Sequence, residues 1–293
     1  MERRQTVAIV GVGLIGGSIG LALRARGLAG RVVGVGRNMA ALDEARRLGA
    51  IDEGTTDLRW GVEGADIVVV CTPVDRIAVD VIECAKHTGE DTLITDAGST
   101  KRAIVAAVEA DPAGRRRFVG AHPIAGSERK GVAAARADLF EGCVCVLTPT
   151  PATHDPNVDR ASLFWASLRC FTAGMTPAEH DATLALTSHL PHAVAAALAA
   201  AVPSPALLMA AGAYRDGTRV AAADPHLWAA IFDQNRAPLL AALDAFDASL
   251  SGLRDALTGG DAAAIARWWA QARARRLEFD RLPKLRETYE INT

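Results

Sequence analysis

Apolar residues fall into two regimes along this chain. Up to about residue 148 they come in short runs: VAIV at 7–10, RVVGVG at 31–36, ADIVVVCT at 65–72, TLITD at 92–96, FVGA at 118–121 and CVCVLT at 143–148. Runs of this length, rich in valine and isoleucine, suit strands covered on both faces. Between them, 18–26, 39–48, 74–86 and 101–110 have helical period, and Gly27 and Gly49 stop the first two. Strands alternating with helices predict a mostly parallel, doubly wound α/β sheet. After Pro149, Pro151 and Pro156 come a helix over 159–168 and a last short strand over 170–175. From Pro177 the strand pattern ends. Alanine-rich segments at 177–190, 191–202, 205–211, 226–250 and 261–276 read as helices. The expected division is an α/β domain over 1–174 and an all-α domain over 175–293.

The first apolar run leads into GVGLIGGS at 11–18, with Gly11, Gly13 and Gly16 spaced G-x-G-x-x-G. A strand, a glycine turn and a helix in this order form the first half of a dinucleotide-binding unit. Gly11 allows the tight turn, Gly13 lets the backbone approach a pyrophosphate, and Gly16 lets helix and strand pack closely. The free N–H groups that open the helix, after Leu14 and Ile15, face the phosphate charge. Thr72 and Pro73 end the third run and reach the same edge of the sheet. An NAD site needs an acid after the second strand to hold the ribose 2′-hydroxyl. No acid occurs between Glu2 and Asp43, and Gly36 is followed by Arg37. A glycine leaves room for a 2′-phosphate and the guanidinium of Arg37 can pair with it, so the reading is NAD(P) with a lean towards NADP.

Composition narrows the class. A chain of 293 residues can bury a sizeable core, and a net charge of −2 gives no basic field for nucleic acid or an acidic membrane surface. No apolar run reaches the ~18 residues expected of a membrane span, and MERRQ leads straight into a strand with no signal peptide. The five cysteines are odd in number, sit mostly in apolar runs and lack zinc spacing, which fits a reducing, cytoplasmic compartment.

Ligands of a doubly wound sheet sit beyond the carboxyl ends of its strands. Asp96 to Ser99 and His122 to Glu128 arrive there. His122 is placed to act as a base, because an imidazole with a pKa near ~6.5 is mostly neutral at cell pH; its bland alternative is a structural histidine beside Pro123. Ser99 reads as a helix N-cap, as a hydroxyl orienting a substrate oxygen, or as both. In the helical half, His189 and His192 share one helix face, without a third ligand for a metal. Asp216 and Arg219, also three apart, form either a surface ion pair or an arginine braced to meet a carboxylate. The C-terminal stretch RWWAQARARRLEFDRLPKLRE reads as a helix with a solvated basic face.

Together, TDAGSTK at 95–101, GAHPIAGSE at 120–128, SHLPH at 188–192, DGTR at 216–219 and ADPHLW at 223–228, with the glycine motif, resemble the prephenate/arogenate dehydrogenase family of tyrosine biosynthesis. The resemblance covers about residues 5–250. It implies a Rossmann domain followed by an all-helical dimerisation domain, hence a homodimer. It implies oxidative decarboxylation of a cyclohexadienyl acid, prephenate or arogenate, without a metal. By that pattern His122 takes the ring hydroxyl proton and Ser99 holds the same hydroxyl against the nicotinamide. His192 contacts substrate, and Arg219, braced by Asp216, binds a carboxylate.

Two other classes share the glycine turn. Dehydrogenases and imine reductases with a Rossmann and a helical domain commonly use a helix-borne lysine (by analogy). The four lysines here avoid the early helical domain. A non-catalytic NAD(P)H sensor has no need of His122, Ser99, His192 and Arg219 together.

Overall fold

The computed structural model of the chain describes residues 5–126 and 129–282. Its first part runs β1 (Thr6–Val10), α1 (Leu14–Ala25), β2 (Arg31–Val35), α2 (Met39–Arg47), β3 (Glu53–Thr55), α3 (Leu58–Val62), β4 (Ile67–Val70), α4 (Val74–His87), β5 (Leu93–Asp96), α5 (Arg102–Glu109) and β6 (Phe118–Val119). The six strands form one parallel sheet in the order β3-β2-β1-β4-β5-β6. The apolar runs are continuous because both faces are covered. In β1, Val7 and Ile9 join one core cluster and Ala8 and Val10 join the other. The order reverses between β1 and β4, which opens a crevice at their carboxyl ends.

Three features differ from the sequence expectation. Helix α1 starts at Leu14, directly after the glycine turn, rather than at residue 18. The short β3 and α3 fall where no apolar run stands, since β3 (Glu53–Thr55) is a half-buried edge strand. The last strands also leave the parallel sheet: β7 (Ala121–Pro123), β8 (Val144–Leu147) and, after α6 (Asp155–Ser167), β9 (Phe171–Gly174) make a separate three-stranded sheet, with β7 antiparallel to β8. The chain turns between the two sheets at Gly120, where a Cβ would stand 2.5 Å from Thr148 Oγ1.

The remainder is helical: α7 (Pro177–Leu184), a π turn (Ala185–His189), α8 (Leu190–Ala201), a 3-10 turn (Ser204–Met209), α9 (Gly212–Thr218), a 3-10 turn (Arg219–Ala222), α10 (Pro225–Gln234), α11 (Arg236–Thr258) and α12 (Ala262–Arg281). Thr176 and Glu179 close a capping box that starts α7. Pro191 does not end the run. The π turn before it absorbs the missing N–H, so α7 and α8 make one continuous helix. The segment expected as one helix over 226–250 breaks at Asn235 into α10 and α11, and 204–209 is a 3-10 turn rather than an α-helix.

The 25-residue run Pro177–Ala201 is long and apolar enough to cross a membrane by length and composition, contrary to the sequence expectation. His180, Asp181 and His189 within it are buried against the protein, while 22% of its apolar 18-residue stretch is buried as a whole. The helical part docks on the α4–α5 side of the sheet. Ile231 of α10 joins the core cluster of Val74, Ile77 and Ile104. Thr100 Oγ1 bonds Gln234 Oε1 at 2.5 Å, and Gln234 Nε2 donates to the Val74 carbonyl at 2.8 Å.

Candidate active site at the carboxyl edge of the sheet

The glycine turn is built as a cradle. Gly11 has φ +95°, and a Cβ there would stand 2.8 Å from the carbonyl of Cys71. A Cβ on Gly16 would meet the Gly11 carbonyl oxygen at 2.2 Å, so only glycine lets α1 approach β1 this closely. At Gly13 the opposite holds: a Cβ would meet nothing within 4 Å. Gly13 is the N-cap of α1 and no side chain caps the helix, whose first turn carries no acid. Open space in front of uncapped amides is what a pyrophosphate needs, and these residues fit a dinucleotide. Leu14 and Ile15 are half-buried in the first turn of α1. At the end of β2, Gly36 is half-buried, Arg37 is exposed and Asn38 caps α2 through the Ala40 amide at 2.9 Å. Pro73 caps α4. The Thr72 hydroxyl donates to Asp80 at 2.7 Å, so its side chain braces α4 while its backbone lies beside Gly11.

His122 lies on β7, 9 % exposed. Its Nδ1 is 2.9 Å from Nε2 of His180, whose own Nδ1 is 2.7 Å from Asp181 Oδ1. The direction of this chain follows from its end. A carboxylate only accepts, so His180 carries its proton on Nδ1 and accepts at Nε2; His122 therefore donates from Nδ1 and keeps a lone pair on Nε2. Burial, then the neighbouring His180, Lys101 and His189, holds the His122 pKa well below its usual value. The imidazole is thus neutral, with its lone pair at one defined nitrogen, throughout the neutral range.

Ser99 is half-buried in the turn between β5 and α5, and its hydroxyl has no hydrogen-bond partner among the described residues. The N-cap role expected for it belongs elsewhere. Asp181 accepts the amides of Lys101 at 2.8 Å and Arg102 at 2.9 Å, a cap delivered from α7. Ser99 stays uncommitted because a carboxylate some eighty positions on satisfies the donors it would have capped.

On the helical side, His192 stacks on Trp228 with ring centroids 3.7 Å apart and donates from Nδ1 to the Ser188 carbonyl at 2.8 Å, which leaves Nε2 as an acceptor. His189 meets the same Trp228 edge-on and takes a hydrogen bond from Asn235 at 2.9 Å. Burial lowers His189 to about 4, and burial followed by the charge of Arg219 lowers His192. Arg219 opens the 3-10 turn after α9 and is exposed. Asp216 pairs with Arg215 at 3.5 Å in the last turn of α9. No cluster of three metal-ligating side chains occurs among the described residues. Lys86, Lys101 and Lys130 are paired with Glu83, Asp96 and Asp224. Ser127 and Glu128 of the GAHPIAGSE stretch lie outside the described residues.

A family profile for the prephenate dehydrogenase nucleotide-binding domain matches residues 19–171, and one for the prephenate dehydrogenase dimerization domain matches 176–271. The chain belongs to the prephenate dehydrogenase family. Prephenate dehydrogenase of Bacillus subtilis is 34% identical over 280 residues, 93% of this chain and 75% of that protein. The structure of prephenate dehydrogenase from A. aeolicus with hydroxyphenyl propionate and NAD+ superposes with a TM-score of 0.87 at 32% identity, covering 94% of this chain and 98% of that one. Arogenate dehydrogenase of Synechocystis superposes with a TM-score of 0.79 at 29% identity, covering 94% and 99%.

Sequence reasoning missed four residues that organise the site: His180, Asp181, Trp228 and Asn235. Trp228 stands inside the ADPHLW stretch and carried a signal by position only. The T-P-A-E capping box at 176–179 was legible as a helix start. It fixes the register of α7, and so the turn on which His180 and Asp181 stand, without saying what they face.

Proposed function

We propose that this chain is an NAD(P)-dependent dehydrogenase that oxidatively decarboxylates prephenate to 4-hydroxyphenylpyruvate, with arogenate, which gives tyrosine, as the alternative substrate. The observation that carries the reading is the directed chain Asp181–His180–His122, which leaves one basic nitrogen at the carboxyl edge of the sheet. Gly11, Gly13 and Gly16 would hold the cofactor, and the chemistry it would supply when bound is acceptance of a hydride from the ring carbinol carbon. His122 Nε2 takes the proton of the ring hydroxyl as that hydride departs, and Ser99 orients the same hydroxyl. Loss of the ring carboxylate as carbon dioxide leaves an aromatic ring, whose phenol oxygen recovers the proton. His122 therefore acts on a single oxygen, within the range of about 10²–10⁴ that a positioned base contributes. Arg219 and His192 take the substrate from the helical side. Two copies pair through the helical domain.

Gly36 followed by Arg37 supports NADP over NAD, since no carboxylate stands at the end of β2 to repel a 2′-phosphate. The test is cofactor reduction followed by absorbance with prephenate or arogenate against NAD or NADP. Turnover with either acid supports the function. NADP as the better acceptor supports the Gly36–Arg37 reading and NAD as the better one refutes it. No turnover in any combination, with cofactor bound, refutes the activity.

A further inference from the structure

Lys101 is fully buried, and so is Asp96, on which its ammonium rests. Asp96 has further duties. Its Oδ2 accepts the amide of Gly98 at 2.8 Å, one residue before Ser99, and its Oδ1 accepts the amide of Ala121 at 2.9 Å, one residue before His122. The backbone amide of Lys101 in turn bonds Asp181 at 2.8 Å, the carboxylate that ends the histidine chain. One ion pair thus touches all three segments of the site.

No sheet ladder does this work. β6 pairs with β5 only at Ile94–Phe118 and Thr95–Val119, and β7 belongs to the other sheet. Beyond Val119 the spacing between the Ser99 turn and His122 rests on Asp96. An ion pair is an expensive way to fill a core. Desolvation costs several kcal/mol per ion, and apolar replacements of buried pairs are often neutral or stabilising. Stability alone does not account for it.

We propose that Asp96 and Lys101 are positioning residues that hold Ser99 and His122 in register for the reaction. The inference rests on the function proposed above. Asp96 supplies the geometry, because a carboxylate with four lone-pair sites can take two backbone amides and an ammonium together. Lys101 fixes that carboxylate and adds a positive charge near His122. The other titratable groups facing His122 are His180 on α7 and His189 in the π turn, and Asp181 acts on it through His180.

The test compares wild type, Lys101→Met and the double variant Asp96→Asn with Lys101→Met, which leaves no unpaired buried charge. Three quantities are read: cofactor dissociation constant, turnover rate per bound cofactor, and the titration of the His122 imidazole by NMR. The expected result for Lys101→Met is cofactor affinity within about 2-fold of wild type, turnover slowed by about 10-fold or more, and a His122 titration moved up. The double variant removes both charges but leaves one of the two backbone amides without an acceptor, so it turns over no faster than Lys101→Met. Turnover within about 2-fold of wild type with an unmoved His122 titration overturns the proposal. Failure of both variants to fold assigns the pair to stability alone and overturns it too. Should wild type turn over neither cyclohexadienyl acid, the function fails, and an unmoved His122 titration in the variants still decides against the pair.

Discussion

Replacing His180 by phenylalanine tests the directed hydrogen-bond chain. In the resting protein the 2.9 Å contact from His122 Nδ1 to His180 is a bond donated by a neutral imidazole. When Nε2 takes the substrate proton, His122 becomes a cation and the same bond becomes charge-assisted, with Asp181 at the far end of the chain. A hydrogen bond to a charged group is worth about 1.5–3 kcal/mol. Because it reaches that strength only as the proton moves, its loss appears in kcat. The neutral bond already contributes about 1 kcal/mol, so the gain that is lost is about 0.5–2 kcal/mol and, at about 1.36 kcal/mol per decade, the expected fall is roughly 2-fold to 30-fold. The assay is steady-state reduction of cofactor, with cofactor affinity measured separately by fluorescence titration. His180→Gln, which keeps an acceptor, is expected to fall less than His180→Phe. The reasoning is refuted if His180→Phe folds, binds cofactor normally and retains the full wild-type kcat. Equal losses in kcat and cofactor affinity also refute it, since they mark a role in structure only.

Other outcomes follow from the same geometry. Gly16→Ala places a methyl 2.2 Å from the Gly11 carbonyl, so cofactor binding is lost and thermal unfolding shifts down, as read by calorimetry. Gly36→Asp puts a carboxylate where a 2′-phosphate would lie, and its Cβ would stand 3.2 Å from a methyl of the buried Leu42, which must give by a few tenths of an ångström; the ratio of kcat/KM for NADP over NAD is expected to drop by about 10-fold or more. Stability falls with acid through the buried histidines. The folded pKa of His189, about 4, lies below its unfolded value near ~6.5, so the unfolded chain binds the extra proton. The contribution is full above pH ~6.5 and is lost as pH falls towards ~4, which a series of melting temperatures over that window detects.

Where local pattern decided structure, the chain was readable. The double burial of β1 and β4 shows in VAIV and IVVV as runs with no polar alternation, and the strand–glycine–helix order at 7–25 is a local signature of an anion-binding turn. What escaped was decided at a distance. Nothing near residue 120 says that β7 pairs backwards with β8; the break depends on Gly120 slipping past Thr148, twenty-eight positions on. The helix break at Asn235 has a local signal in Pro238, in the first turn of α11, which the single 226–250 reading passed over; the buried Asn235 side chain then bonds the Asp181 carbonyl and His189. His180 looked like one polar residue in an alanine-rich helix. Its place between His122 and Asp181 depends on how the two domains meet, which no periodicity encodes. Ser99 looked like a cap because serine before a helix usually is one. The capping is done by Asp181 from another helix, and that frees the hydroxyl.

The most direct test of the account is single-turnover reduction of cofactor by His122→Asn. An asparagine keeps a polar group of similar reach on β7 but cannot take a proton near neutral pH. The account predicts a fall in the rate of hydride transfer of about 10²–10⁴, with cofactor affinity and melting temperature close to wild type. Turnover within a few-fold of wild type would contradict it, and would remove His122 as the base however well the surrounding chain of hydrogen bonds is built.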